Sequence, residues 1–224
     1  MIKEDILEIN ELNSKFYALH ADSFDRSREF YWEGFNDALE FIGNNSKILD
    51  LGCGNARFFK FLKENEVNVN YLGVDNNPNF IEKNKENYPT AKFKNLDVIT
   101  SLNQIQDTFD VIVVFGVTHH IPSKEYRKMW FEQVIKLIEK GGYIVISFWN
   151  FDIEKEDKSF KTEFYNKEVG DYFLGWKRDF SEHRYCHRYS EAEIDEIKKL
   201  FENFELIKDY NKEDNRYLIF HRLN

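Results

Sequence analysis

Ile48-Leu-Asp-Leu-Gly-Cys-Gly-Asn-Ala-Arg57 is the stretch from which the fold is read. Four residues with strand character run into Gly52 and Gly54, and helical spacing begins at Arg57. The segment therefore predicts a strand, a tight turn and a helix N-terminus. Glycine tolerates positive φ and lets the backbone approach a ligand closely, and a helix start presents unbonded N–H groups and a positive dipole end. A pyrophosphate-binding turn would read G-x-G-x-x-G. Here the later glycine is missing and an acid, Asp50, precedes the turn. An acid there repels a pyrophosphate and favours an ammonium.

Working outward, residues 3–20 carry Ile6, Leu7, Ile9, Leu12, Phe16 and Leu19 at helical spacing. A second helix is predicted over 29–43, stopping at Gly43-Asn-Asn. Strands follow near 47–51, 69–75, 91–96, 109–115 and 143–148. Helices intervene at about 56–65, after Asn77-Pro78, and from Ser123 to about residue 140, where Gly141-Gly142 ends the run. Phe109-Asp-Val-Ile-Val-Val-Phe115 has the apolar density of a parallel strand buried on both faces. Strands alternating with helices at this pitch predict βαβ units and a parallel sheet. Residues 151–189 break the rhythm. Ser190 then caps a last helix, and strands near 204–210 and 216–221 close as a hairpin around Lys212-Glu-Asp-Asn.

Composition sets bounds. A chain of 224 residues suits one domain with an elaboration and buries roughly 70% of its surface. No 18-residue apolar run occurs, so no membrane span is expected, and the acidic, amphipathic N-terminus is unlike a signal peptide. Two cysteines, Cys53 and Cys186, argue against a disulfide framework and for the cytoplasm. The net charge of −9 is unfavourable for a nucleic-acid binder, so any RNA contact needs a local basic patch. One exists between Lys177 and Arg188: four basic residues and two histidines against two acids.

The Asp50-x-Gly52-x-Gly54 turn resembles the first motif of the class I S-adenosylmethionine (SAM) methyltransferases, D/E-x-G-x-G-x-G, with Ala56 in place of the third glycine. That resemblance implies an α/β, Rossmann-like, seven-stranded sheet, mostly parallel with an antiparallel last strand, carrying N-terminal helices and an insertion after strand five. It implies SAM as cofactor, held around Tyr17, Asp50, Gly52, Cys53, Gly54, Asp75, Asn76, Asp97, Val98 and Phe115. In this family an acid at the end of strand two, here Asp75, accepts from both ribose hydroxyls, and one at the place of Asp97 meets the adenine amino group. Phe115-Gly-Val-Thr-His-His-Ile-Pro122 lies at the carboxyl edge, and His119 is the histidine assigned to the methyl-transfer site, ahead of His120. No metal ligand set is assigned.

Two further segments narrow the family. Tyr17 to Trp32 matches Y-x-x-x-A-x-x-F-x-x-[ST]-R-x-x-x-W, and Gly170-Asp171, Trp176 and Arg184-Tyr-Cys-His187 match G-D-x-x-x-x-W and R-Y-Y-H. Both resemble signatures of the tRNA wobble-uridine carboxymethyl methyltransferases, which esterify the carboxylate of 5-carboxymethyluridine. Gly175, Cys186 and Glu33 depart from that pattern. The resemblance implies one methyltransferase domain over 1–224, with a helical cap at 1–45 and a substrate-side insertion at 151–189. It implies the tRNA anticodon loop as substrate, with a small zinc-binding activator protein, found with eukaryotic relatives, as a candidate partner.

A carboxylate is already ionised at pH 7, so its methylation needs positioning rather than a strong base. Arg28 and Arg184 are the expected bidentate clamp. Tyr185, His187 and His119 are the expected further hydrogen-bonding or stacking groups. The competing readings are a small-molecule O- or N-methyltransferase and a non-catalytic SAM-binding partner subunit.

Overall fold

The computed structural model describes residues 3–21, 31–151, 168–176 and 179–224. In chain order these form α1 (Lys3–Leu19), α2 (Glu33–Leu39), β1 (Lys47–Leu51), α3 (Arg57–Glu64), β2 (Asn70–Asp75), α4 (Pro78–Asn87), β3 (Lys92–Asn95) and β4 (Phe109–Val114). There follow α5 (Lys124–Lys136), β5 (Ile138–Trp149), β6 (Asp171–Trp176), β7 (Asp179–His187), α6 (Glu191–Leu200), β8 (Phe204–Lys212) and β9 (Asn215–Arg222). Seven strands make one sheet in the order β3-β2-β1-β4-β5-β9-β8, and β6 and β7 form a separate hairpin. Strands β1 to β5 pair in parallel, whereas β9 runs antiparallel to both β5 and β8. This is the Rossmann-like methyltransferase architecture expected from the motif.

The central strands are buried on both faces, as their uninterrupted apolar runs require. Leu49, Ile112, Ile144 and Leu218 face one core, with Trp130, Phe131 and Val134 of α5 and Ile194 and Ile197 of α6. Their neighbours Ile48, Val111, Val113, Val145 and Ile219 face the other, against Phe35 and Ala38 of α2 and Phe58, Phe61 and Leu62 of α3. The switch at every residue is the two-residue period of a pleated strand. Among the described residues no helix is long and apolar enough to cross a membrane.

Two boundaries differ from the sequence reading. The helix after Ser123 ends at Lys136, four residues early, because Ile138 is fully buried and pairs with Phe109. The Gly141-Gly142 pair sits inside β5, where Gly141 takes φ +74° and the register with β4 slips before Tyr143 pairs with Val111. These glycines make a bulge rather than a helix stop. Helix α2 ends at Leu39 instead of 43, since Phe41 and Ile42 bond back only three residues, to Ala38 and Leu39. Its expected beginning, from residue 29, falls partly outside the described residues.

Candidate active site

The glycine turn after β1 opens a cavity at the carboxyl ends of β1, β2 and β4, the edge where ligands sit in open α/β sheets. Gly52 has φ +74°, and a Cβ there would strike the Val117 side chain. Ala56 closes the turn in the left-handed region, φ 57° and ψ 31°, as N-cap of α3. The position where the motif departs from glycine thus has the backbone that glycine adopts most readily.

Three acids line the cavity. Asp50, 3% exposed, accepts from Tyr71 Oη at 2.5 Å. Burial pushes its pKa up to about 7, aided by the charge of Asp75 and opposed by the Tyr71 hydrogen bond and Arg57. Asp75, at the end of β2, accepts from the backbone N–H of Gly54 and of Asn77, each at 2.9 Å. Burial raises its pKa against these hydrogen bonds. Asp97 accepts from the N–H groups of Ile99 and Thr100 at 2.8 and 3.1 Å, so the carboxylate is oriented by its own turn. All ten residues assigned to the cofactor, Tyr17, Asp50, Gly52, Cys53, Gly54, Asp75, Asn76, Asp97, Val98 and Phe115, line this one cavity.

Helix α1 lies along the cavity rim. Asn10 donates to Asp97, Asn76 donates to Ser14 at 2.8 Å, and Tyr17 Oη lies 2.8 Å from His120 Nε2. Residues 10, 13, 14 and 17 share one helix face, while Ile9 of the same helix packs on Phe173 and Tyr185 of the β6–β7 hairpin. This polar stripe was not read from the sequence, although its i, i+3, i+4, i+7 spacing was there to be seen.

The histidines exchange places relative to expectation. His120 lines the cavity, whereas His119 is buried away from it with its ring against Trp149, centroids 5.2 Å apart. His120 Nδ1 is 2.9 Å from the Tyr185 carbonyl. A carbonyl only accepts, so the hydrogen-bond network puts the proton of a neutral ring on Nδ1, and Nε2 accepts from the Tyr17 hydroxyl. Adjacent residues of a short 3₁₀ turn, Thr118–His120, point apart, and burial of the turn decides which faces inward. His119, His120 and Cys186 bring one donor atom each within 4.8 Å of one another, but both nitrogens of His120 are engaged as described.

The remaining assigned residues stand elsewhere. Tyr185 and His187 are fully buried and do not line the cavity. Tyr185 Oη donates to Asp171 at 2.6 Å. His187 lies 2.7 Å from Asp171 and 3.0 Å from Glu193, which also meets Arg127 at 3.0 Å. Asp171 pairs with His187 across the hairpin, so the G-D and R-Y-x-H signatures are two sides of one buried polar cluster. Burial works against a charged His187, yet its bonds to Asp171 and Glu193 carry its pKa above the ordinary value of 6.5. Glu193 is lowered to about 2, burial being outweighed chiefly by the His187 hydrogen bond. Arg184 is 5% exposed, donates to the Gly175 carbonyl at 2.9 Å and stacks on Phe16 and Trp149. Arg28 lies outside the described residues.

A family model described as a methyltransferase domain matches residues 24–207. The chain belongs to this family. It is 27% identical over 146 residues to the tRNA (carboxymethyluridine(34)-5-O)-methyltransferase alkbh8 of Xenopus tropicalis, a match covering 65% of this chain and 22% of that protein. It is 26% identical over 156 residues to the Arabidopsis thaliana protein named tRNA (carboxymethyluridine(34)-5-O)-methyltransferase, covering 66% and 35%. The chain therefore spans well under half the length of these two curated relatives. Among solved structures, a SAM-dependent methyltransferase of Methanosarcina mazei superposes with a TM-score of 0.67 at 17% identity, covering 83% of this chain and 96% of that one. The 1,6-didemethyltoxoflavin-N1-methyltransferase of Burkholderia thailandensis gives 0.66 at 15% identity, covering 100% and 92%. Both share the fold of this methyltransferase domain.

Proposed function

We propose that the chain is a SAM-dependent methyltransferase that esterifies the carboxylate of 5-carboxymethyluridine at the tRNA wobble position. The observation that carries the cofactor half of this reading is the cavity, in which the glycine turn and Asp50, Asp75 and Asp97 from separate strand ends converge. The residues fit the group. In this reading Asp75 takes the ribose hydroxyls, Asp97 the adenine amino group and Asp50 the ammonium. When bound, the cofactor supplies a sulfonium methyl as electrophile. The protein's part is to hold, orient and exclude water, since an ionised carboxylate needs no base. Phe115, Val117 and Trp32 provide apolar wall, and the hydrogen bond between His120 Nε2 and the Tyr17 hydroxyl keeps Tyr17 oriented at the rim.

The substrate half is supported by the two outer signatures and by the printed names of the relatives above. Within it, Arg28 is assigned to the acceptor carboxylate. Arg184, Tyr185 and His187 act as positioning residues that fix the β6–β7 hairpin against α1 and behind His120. The 1–45 cap and the 151–189 insertion then serve one catalytic domain, with the basic stretch from Lys177 to Arg188 meeting anticodon-loop phosphates. Cytoplasmic location agrees with the two thiols, and a small zinc-binding activator remains a candidate partner.

The test is labelled-methyl transfer from SAM to tRNA carrying 5-carboxymethyluridine, beside tRNA with an unmodified wobble uridine. Label on the first RNA only, released by mild alkali as an ester is, supports the reading. Confirmed binding of S-adenosylhomocysteine without label on either RNA, with or without an activator, rejects the substrate and favours a small-molecule acceptor.

A further inference from the structure

Among the described residues that line the cavity, which include Asp50, Asp75 and Asp97, Arg57 carries the only guanidinium or ammonium group. It is the first residue of α3, directly after the glycine turn, and its guanidinium carbon sits 4.7 Å from the centroid of the Trp32 ring and 5.3 Å from that of Phe35. Phe35 is 2% exposed and anchored in the core. Trp32 in turn reaches across to the end of β4, where a Cβ on Gly116 would come within 3.0 Å of its ring. An arginine stacked on such a platform has lost much of its side-chain freedom before any ligand arrives, so less entropy is surrendered when its planar fork meets a carboxylate.

The charges along the cavity are ordered. Asp75 and Asp97 belong to the β2 and β3 side of the sheet. Asp50, Arg57, Trp32 and Phe115 belong to the β1 and β4 side, where the strand order reverses. On that second side an acid and a guanidinium stand together, and the charge of Arg57 draws the Asp50 pKa down against burial. A cation beside a cavity acid is the complement of a ligand that brings both an ammonium and a carboxylate, or of two ligands that bring one each.

We propose that Arg57, held on Trp32 and Phe35, is a carboxylate-binding group of this cavity, for the cofactor's carboxylate or, beside Arg28, for the acceptor's. The assignment rests on the methyltransferase reading, under which two carboxylates can arrive: that of the methionine end of the cofactor and that of the acceptor. Both need the same bidentate cation, and the experiment separates them.

The full chain and its Arg57→Gln and Arg57→Lys variants would be titrated calorimetrically with S-adenosylhomocysteine and with methylthioadenosine, which keeps the nucleoside and sulfur but has no amino-acid end. The same proteins would be assayed on tRNA bearing 5-carboxymethyluridine. If the cofactor carboxylate is the ligand, Arg57→Gln weakens S-adenosylhomocysteine by about tenfold to a hundredfold and leaves methylthioadenosine unchanged. If the acceptor carboxylate is the ligand, both nucleosides bind as before and KM for the modified tRNA rises by about tenfold or more. In either case Arg57→Lys falls between, because it keeps the charge and loses the fork. Equal weakening of both nucleosides marks a merely structural arginine and overturns the proposal, as does the absence of any change. Failure of the unsubstituted chain to bind either nucleoside would instead remove the cofactor reading itself.

Discussion

Asp50→Asn tests how the cavity recognises charge. The Asp50 carboxyl is buried beside the glycine turn and pushed up to about 7, so in the ligand-free protein at pH 6 about nine molecules in ten hold it protonated. An ammonium seated against it requires the ionised form, and each binding event at pH 6 then releases about 0.9 proton. The affinity penalty is about elevenfold at pH 6 and about twofold at pH 7, so affinity for S-adenosylhomocysteine should rise about fivefold between the two. Calorimetry in two buffers of different ionisation enthalpy measures both the affinity and the proton count. Asp50→Asn should abolish the proton release, flatten the pH profile and weaken binding at pH 7.5 by about tenfold through the lost charge pairing.

The same group has a stability signature of determined sign. Its folded pKa is raised, so its contribution is fully present below the ordinary value of 3.8 and is lost as pH rises through about 7. Ligand-free Asp50→Asn should therefore gain stability relative to the unsubstituted chain above pH 7, by at least ~1 kcal/mol. A flat binding profile with no proton release in the unsubstituted chain would refute this account of Asp50.

Three other perturbations follow from the geometry. Ala56 is fully buried at φ 57°; Ala56→Gly relieves roughly 1–2 kcal/mol of left-handed strain and forfeits about 0.8 kcal/mol of methyl burial, so urea unfolding should show a net gain of up to about 1 kcal/mol. His187, raised from 6.5 by Asp171 and Glu193, contributes stability that is complete below pH 6.5 and lost as pH rises through its folded pKa, while the lowered Glu193 contributes above pH 4.5 and loses it towards about 2. The melting temperature should accordingly fall on the alkaline side of 6.5, and His187→Gln should show a smaller fall, keeping the part that comes from Asp50. His120→Ala should cut turnover or cofactor affinity by about tenfold, whereas His119→Ala should act on the melting temperature with kinetics nearly intact; the reverse pattern would return the site role to His119.

What sequence alone could reach is set by how local the cause is. Asp50, Gly52 and Gly54 were legible because a turn between a strand and a helix constrains residues only a few positions apart. Asp75 and Asp97 were legible because strand ends in a parallel sheet share one edge. His119 and His120 were not separable, since neighbours on a short turn differ only in which way the surrounding core turns them. The R-Y-x-H histidine and tyrosine looked like reactive groups because a signature conveys recurrence and not direction; cross-strand pairing with Asp171 put them in a buried cluster instead.

The sequence by itself determined the strand and helix order of the main sheet and its closing hairpin through short-range periodicity and turn chemistry, and the motif resemblance pointed to the acids at the strand ends; the β6–β7 hairpin, in the stretch that breaks the rhythm, was not read from it. Only the tertiary structure decided that α1 lays its polar stripe on the cavity rim, that Arg57 rests on Trp32 within it, and that Arg184 turns into the hairpin. Those placements depend on which distant surfaces pack together, and packing between segments far apart in the chain leaves no period in the sequence to read.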